Sequence, residues 1–281
     1  GTEPLVVLRA QGSVSADGLR QAPELGFFSR LARHATGSTT YSGALSFRGG
    51  VPELTLASNL QGFGLNLPPP LSKSAEAVLP LRYENTLLAR SAVPGAPALQ
   101  DQLLVELGRL ASIAYTRDIS GPEPRVLRGS IGVGLAAGES APALEQGVGA
   151  NISLSSLNVD SWEAVMAGVA GVSLSNADPA RTGASPAQGY LPTVMAVRAN
   201  ELIAGGRIFH RVVIGGVRDG TNWRANVSAD QLNGYIEYRQ PAAVGDGRVF
   251  ARLSRLALAP STAREVEELL DKAQVLEGGK Y

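Results

Sequence analysis

Cysteine is absent from this 281-residue chain, and histidine, methionine and tryptophan occur only twice each. Without thiols there is no disulfide framework and no thiolate metal site, a composition that fits an oxidising compartment such as a bacterial periplasm. His34 and His210 have no partner at ligand spacing, so no zinc motif is present. His210, beside Arg207 and Arg211 in a strand pattern, reads as a packing or surface residue and not as a general base. Net charge is missing too, since 25 basic and 25 acidic residues cancel. That balance removes the basic face that nucleic acid requires and argues against purely electrostatic attachment to anionic lipid. No run reaches the ~18 apolar residues of a membrane span, and Gly1-Thr2-Glu3-Pro4 does not open a signal peptide.

Catalytic motifs are equally scarce. Gly171-Val172-Ser173-Leu174-Ser175 lacks the second glycine of a nucleophile elbow. Gly62-Phe63-Gly64 lacks the third glycine and the following helix of a dinucleotide fingerprint, and such glycines in a strand mark a bend or a close backbone approach. There is no phosphate loop. Glu267 and Glu268 read as a solvated helix face, and Asp118 and Glu123 as loop residues, so nothing marks a glycosidase pair. The sequons at Asn151 and Asn226 fall inside strand patterns and read as accidental.

What the chain does have is alternation of period two. Leu103, Val105, Leu107, Ala111, Ile113 and Tyr115 share one face of an unusually long strand, with Gln102, Glu106 and Ser112 on the other. Leu127, Ile131, Val133 and Leu135 repeat the pattern against Arg128 and Ser130. Trp223, Ala225, Val227 and Ala229 do so against Asn222, Arg224, Asn226 and Ser228. Runs at 232–238 and 248–258 complete a carboxyl-terminal meander. Such patterns predict a mainly β fold of antiparallel strands with one apolar and one wet face. Apolar parity changes between Leu60 and Phe63, Leu154 and Leu157, and Leu253 and Leu256. A change of parity inside a strand marks a bulge, and repeated bulges predict a curled sheet.

Three short helices are expected: one near 23–36, opened by Pro23 and stopped by Gly37; one near 161–170, introduced by the Asp160 and Glu163 pair; and one after Ser261. They would pack at the ends or edges of the sheet. Loops rich in Gly, Pro, Ser and Ala cover roughly 85–100, 136–147 and 176–188. The last of these offers a division into a unit of residues 1–188 and a unit of residues 189–281, or the whole forms one continuous domain. An apolar strand face is either a closed core against another layer or an open trough suited to acyl chains, where each CH₂ removed from water contributes about 0.8 kcal/mol. Periodicity does not choose between them.

Three blocks carry a resemblance. The first is Leu54-Thr55-Leu56-Ala57-Ser58-Asn59-Leu60-Gln61-Gly62-Phe63-Gly64-Leu65-Asn66-Leu67-Pro68-Pro69-Pro70-Leu71-Ser72-Lys73, followed by Leu79-Pro80-Leu81. The second is Gly220-Thr221-Asn222-Trp223-Arg224-Ala225-Asn226-Val227-Ser228-Ala229-Asp230-Gln231-Leu232-Asn233-Gly234-Tyr235-Ile236, and the third runs from Gly247 to Leu256. With weaker similarity at Gly147-Val148 and Asp160-Ser161-Trp162, the chain resembles the YhdP family, AsmA-like envelope proteins of Gram-negative bacteria. The blocks are structural, so no catalytic residue is carried over. The resemblance implies an interior periplasmic piece of a longer protein anchored in the inner membrane. It also implies a curled, taco-like β-sheet with a hydrophobic groove, and a role in moving phospholipid between inner and outer membranes without a cofactor. Implied partners are phospholipid, neighbouring segments of the same long chain, and a membrane reached through parts outside this sequence. Parity then nominates Leu103, Val105, Leu107, Ile131, Val133, Trp223, Val227, Leu232 and Ile236 as the groove lining. Two rival readings stand beside this one: a non-catalytic spacer or docking module with a closed core, and a polysaccharide-active enzyme.

Overall fold

A computed structural model describes residues 7–23, 27–88, 97–170, 189–239 and 248–257. The strands are β1 (Val7–Ser15), β2 (Ala35–Arg48), β3 (Val51–Ser58), β4 (Phe63–Leu65), β5 (Leu81–Leu87), β6 (Gln100–Leu107), β7 (Ala111–Asp118), β8 (Arg125–Val133), β9 (Gly147–Asn158), β10 (Val194–Ala204), β11 (Arg207–Asp219), β12 (Asn222–Ser228), β13 (Leu232–Arg239) and β14 (Arg248–Leu256). They form one 14-stranded sheet that follows chain order from β1 to β14, except that β4 stands off the path and pairs with β2. The pairing is antiparallel everywhere but at β8–β9 and β9–β10, which are parallel. The sheet is therefore mixed, and the all-antiparallel expectation needs that correction. Parallel neighbours require crossovers; one joins β8 to β9, and the other joins β9 to β10 and contains the helix at Val159–Ala170. No break in pairing marks residue 189, since β9 and β10 run side by side from Gly149 and Val194 to Asn158 and Ile203.

Cross-strand partners share a face, so the register can be followed as rows. One row runs Ala10, Gly43, Leu56, Tyr83, Val105, Ile113, Ile131, Ala150, Met195, Gly216, Ala225, Ile236 and Ala251, without a charged or amide side chain across the whole sheet. The adjacent row, on the opposite face, includes Gln11, Ser42, Arg82, Glu106, Ser112, Asn151, Asn226 and Arg252. The sheet thus has an apolar face and a polar face.

The long strand expected through 102–115 is a hairpin of β6 and β7, turned at Gly108, whose φ is +52°. Face membership survives because Leu107 pairs with Ala111 and Leu103 with Tyr115, an even step across the turn. The predicted parity changes are bulges or bends. Ser254 is the extra residue between the Gly234–Leu253 and Asn233–Arg255 pairs. Between β3 and β4, Leu60 and Gly62 have positive φ, and the Gly62 carbonyl accepts from the Ser38 amide at 3.0 Å. The Leu154–Leu157 change belongs to a line crossing three strands, where Ala199 to Leu202 and Val212 to Phe209 switch together beside Arg211 at φ +53°. Leu127 is a further slip, skipped between the Thr116–Arg128 and Arg117–Val126 pairs.

Helices gather at one end of the strands. They are α1 (Ala16–Arg20), α2 (Phe27–Leu31, continued by a 3-10 turn to His34) and α3 (Val159–Ala170). The helix expected over 23–36 is thus shorter. Gly37, at φ +78°, lies inside β2 and does not stop the helix; it faces Gly62 across a gap that leaves no room for a Cβ. The Asn158 carbonyl oxygen Oδ1 accepts from the Ser161 amide and caps α3. Asp160 instead grips the β10–β11 turn, accepting from the Gly205 and Gly206 amides at 2.7 and 2.8 Å. The helix expected after Ser261 lies outside the described residues. In strand order β2 and β9 stand six spacings apart, about 29 Å along a flat sheet. Yet α2 packs against α3, Leu31, Leu67, Leu71, Trp162 and Val165 form one cluster, and Trp162 Nε1 donates to the Pro69 carbonyl. Such contacts require a curled sheet.

Candidate functional site

All nine nominated lining residues lie on the apolar face. Val105 stands in register with Ile113 and Ile131, Leu107 with Ala111 and Val133, and Leu103 with Tyr115. Trp223 pairs with Tyr238, Val227 with Gly234, Ile236 with Ala225, and Leu232 with Leu256. The register brings them onto one surface in two groups, one over β6–β8 and one over β12–β13. Every one of the nine is half-buried, whereas the core of a closed sandwich hides such side chains from water.

Burial changes in order along the sheet. At β9 and β10, Val148, Ala150, Val197 and Ala199 are buried, with Val148 at 0% exposure. At the two sheet edges, Leu8 and Val249 are 57% and 68% exposed. The covered strip is bounded at one end by the cluster of Ala199, Leu202 and Val212 with Leu157, Val159 and Phe209. At the other end the chain crosses the apolar face at residues 189–193 before entering β10. Tyr190 stacks edge-on against Tyr115 with centroids 5.0 Å apart. Tyr115 lies over Gly129, where an added Cβ would fall 2.4 Å from its ring, so the glycine makes room for the aromatic.

A charged cluster anchors this crossing. Arg117 Nε and Nη2 donate to the two carboxylate oxygens of Asp101 at 2.9 and 2.6 Å, and Nη1 donates to the Tyr190 hydroxyl at 3.2 Å. Asn85 Nδ2 donates to Asp101 at 2.9 Å. The side chains of Asp101 and Arg117 are 4% and 11% exposed. Burial alone would pull the Arg117 guanidinium down, but its hydrogen bonds to Asp101 and Tyr190 outweigh that and raise it above its ordinary value. The Tyr115 phenol is pushed up to about 12, by burial first and then by Tyr190. Sequence reading took Tyr115 as one more apolar-face residue and missed the cluster. The available signal was the parity itself: Asp101 and Arg117 continue the series of Leu103 and Tyr115, and a charge on an apolar series requires a partner.

The polar face is not flat. A concavity of about 1290 Å³ opens over β1–β6, with Arg9, Gln11, Thr40, Ser42, Arg82, Glu84 and Glu106 among its lining. Arg82 is held within it by Glu84 at 2.6 Å and Glu106 at 3.6 Å. Among the described residues no group of three or more His, Asp or Glu is placed to hold a metal ion, and no helix is long and apolar enough to cross a membrane.

The described residues form an open, mixed β-sheet with a continuous apolar register on one face. The chain belongs to the YhdP protein family, which it matches over residues 1–275. No curated protein and no solved structure matches it.

Proposed function

We propose that the apolar face is the wall of a lipid-conducting groove in a protein of the bacterial envelope, working in the periplasm. Acyl chains lie against Leu103, Val105, Leu107, Ile131, Val133, Trp223, Val227, Leu232 and Ile236, while phospholipid headgroups stay in water. Membership of the YhdP family is consistent with a lipid-transport envelope protein. The observation that carries the reading is the apolar row from Ala10 to Ala251 on a face whose side chains stay partly exposed on either side of the buried Ala150. A surface of that extent on a soluble chain marks a binding surface. Passive movement along it requires no catalytic group, cofactor or metal. Neighbouring segments of a longer chain would extend the sheet, and contact with the membranes would be made through them.

The test is photo-crosslinking with a phospholipid carrying a diazirine on its acyl chain, followed by peptide mapping, which traps even a brief complex. Labels are expected on β6, β8, β12 and β13, and Val105→Asp or Ile131→Asp should remove those near the substitution. Labels confined to the polar face, or none above an unreactive control, would overturn the reading. The second outcome would favour the rival interaction module, for which the polar-face concavity and the exposed Val249 and Phe250 of β14 are the supporting observations.

A further inference from the structure

We infer that the buried strip over β9–β10 is a partition, and that it divides the apolar face into two half-grooves that take acyl chains separately. The inference rests on the groove reading and adds a feature to it. The partition is built, not incidental, because the strap of residues 189–193 has the carbonyls of residues 190–193 claimed in sequence. Tyr115 Oη donates to the Tyr190 carbonyl at 2.9 Å, Arg218 Nη2 to Leu191 at 3.1 Å, and Arg218 Nε to Pro192 at 2.9 Å. The Arg218 amide donates to the Thr193 carbonyl at 2.8 Å. Thr193 is sewn to β9 as well, since its amide donates to the Val148 carbonyl at 2.8 Å and its hydroxyl accepts from the Val148 amide at 3.0 Å.

Two arginines on different strands thus hold the strap from either side. Arg117 on β7 fixes the Tyr190 ring, and Arg218 on β11 fixes the backbone beyond it while stacking over Trp223 at 5.7 Å. A segment bonded in this way, set against the buried Tyr115 and Val148, is an obstacle that a sliding acyl chain must go around or displace. On one side the strip leaves Tyr83, Leu103 and Val105 half-exposed over β5–β6; on the other it leaves Trp223, Val227 and Ile236 over β12–β13. The β1–β8 half spans six strand spacings, about 29 Å along the sheet, and the β11–β14 half three, about 14 Å.

The experiment uses the whole chain and the diazirine-acyl phospholipid, comparing Val105→Asn and Ile236→Asn, polar but uncharged changes chosen to spare folding, with circular dichroism as the control. Ile236→Asn should lower labelling of β12–β13 by about tenfold and leave β5–β6 unchanged, and Val105→Asn should do the reverse. Either substitution lowering labels in both halves would show one continuous floor and overturn the partition. So would labels on Ala150 and Val197 as strong as those on the two halves. A parent chain that takes no label anywhere fails the groove reading itself, a separate and recognisable result.

Discussion

Replacing Arg117 by methionine takes the cation out of a cluster that the sheet keeps almost dry, and the cost follows from what is left behind. The aliphatic stem is retained, but both bonds to Asp101 and the bond to Tyr190 vanish. Asp101 keeps only the Asn85 amide, with its side chain 4% exposed. Breaking a buried pair from one side costs about 3–5 kcal/mol, most of it the stranded charge. The remaining Asn85 bond and the slight exposure of Arg117 place this case near the lower end, about 3 kcal/mol. With a urea dependence of about 3 kcal/mol per molar, the unfolding midpoint should fall by about 1 M. The double variant Asp101→Leu with Arg117→Met strands no charge and should be more stable than Arg117→Met alone, with a coupling of about 1.5–3 kcal/mol. If Arg117→Met shifts the midpoint by less than about 0.3 M, water already screens the pair. If the two substitutions simply add, the cluster is not a unit; either result refutes the reasoning.

Gly62→Ala and Gly138→Ala form a matched pair, because both glycines have φ +87°, but only Gly62 would drive a Cβ to 2.3 Å from a backbone oxygen, that of Ser38. Gly138→Ala should cost about 1 kcal/mol in urea unfolding and Gly62→Ala clearly more, and equal costs would mean that the bend between β3 and β4 yields freely. Tyr115 supplies a pH test: its folded value of about 12 lies above the unfolded value of about 10. Its stabilising contribution is therefore complete below pH ~10 and lost as pH rises toward 12. Tyrosinate absorbance should show one phenol titrating late, and Tyr115→Phe should abolish that late step and flatten the loss of stability in this window.

Where the sequence spoke clearly, the reason was a period that survives local errors. A strand face depends only on parity, and a hairpin with an even step preserves it, so Leu103 to Tyr115 were assigned to one face although the chain reverses at Gly108. The bulges at Ser254 and near Gly62 were legible for the same reason, because an inserted residue moves every later side chain to the other face. What parity does not carry is direction and distance. The parallel pairing of β9 with both neighbours depends on two crossovers, and neither a loop composition nor a short helix says which way the next strand runs. The Asp101–Arg117–Tyr190 cluster joins positions 16 and 73 residues apart. Asp160 was read as part of a cap because its spacing to Glu163 fits one; its carboxylate instead binds a turn 45 residues away, which local spacing does not encode.

The half-exposure of the lining bears on mechanism through its magnitude. Full burial of an aliphatic side chain contributes about 1.5–3 kcal/mol, and each nominated residue keeps only a minor part of its surface open, which leaves about 0.5 kcal/mol for a ligand to gain. Nine such residues make on the order of 5 kcal/mol, which association opposes with about 4–15 kcal/mol of lost freedom. The difference is small, and a lipid on this face should exchange readily instead of settling into a tight complex. A deeper, drier site would hold its cargo at one position, and a polar one would not receive it. A floor that is apolar along its central row and partly open on either side of the buried strip gives each acyl segment nearly the same weak attraction at each step there. That uniformity lets a chain advance from strand to strand, and it makes a built obstacle such as the 189–193 strap the feature with the greatest power to stop it.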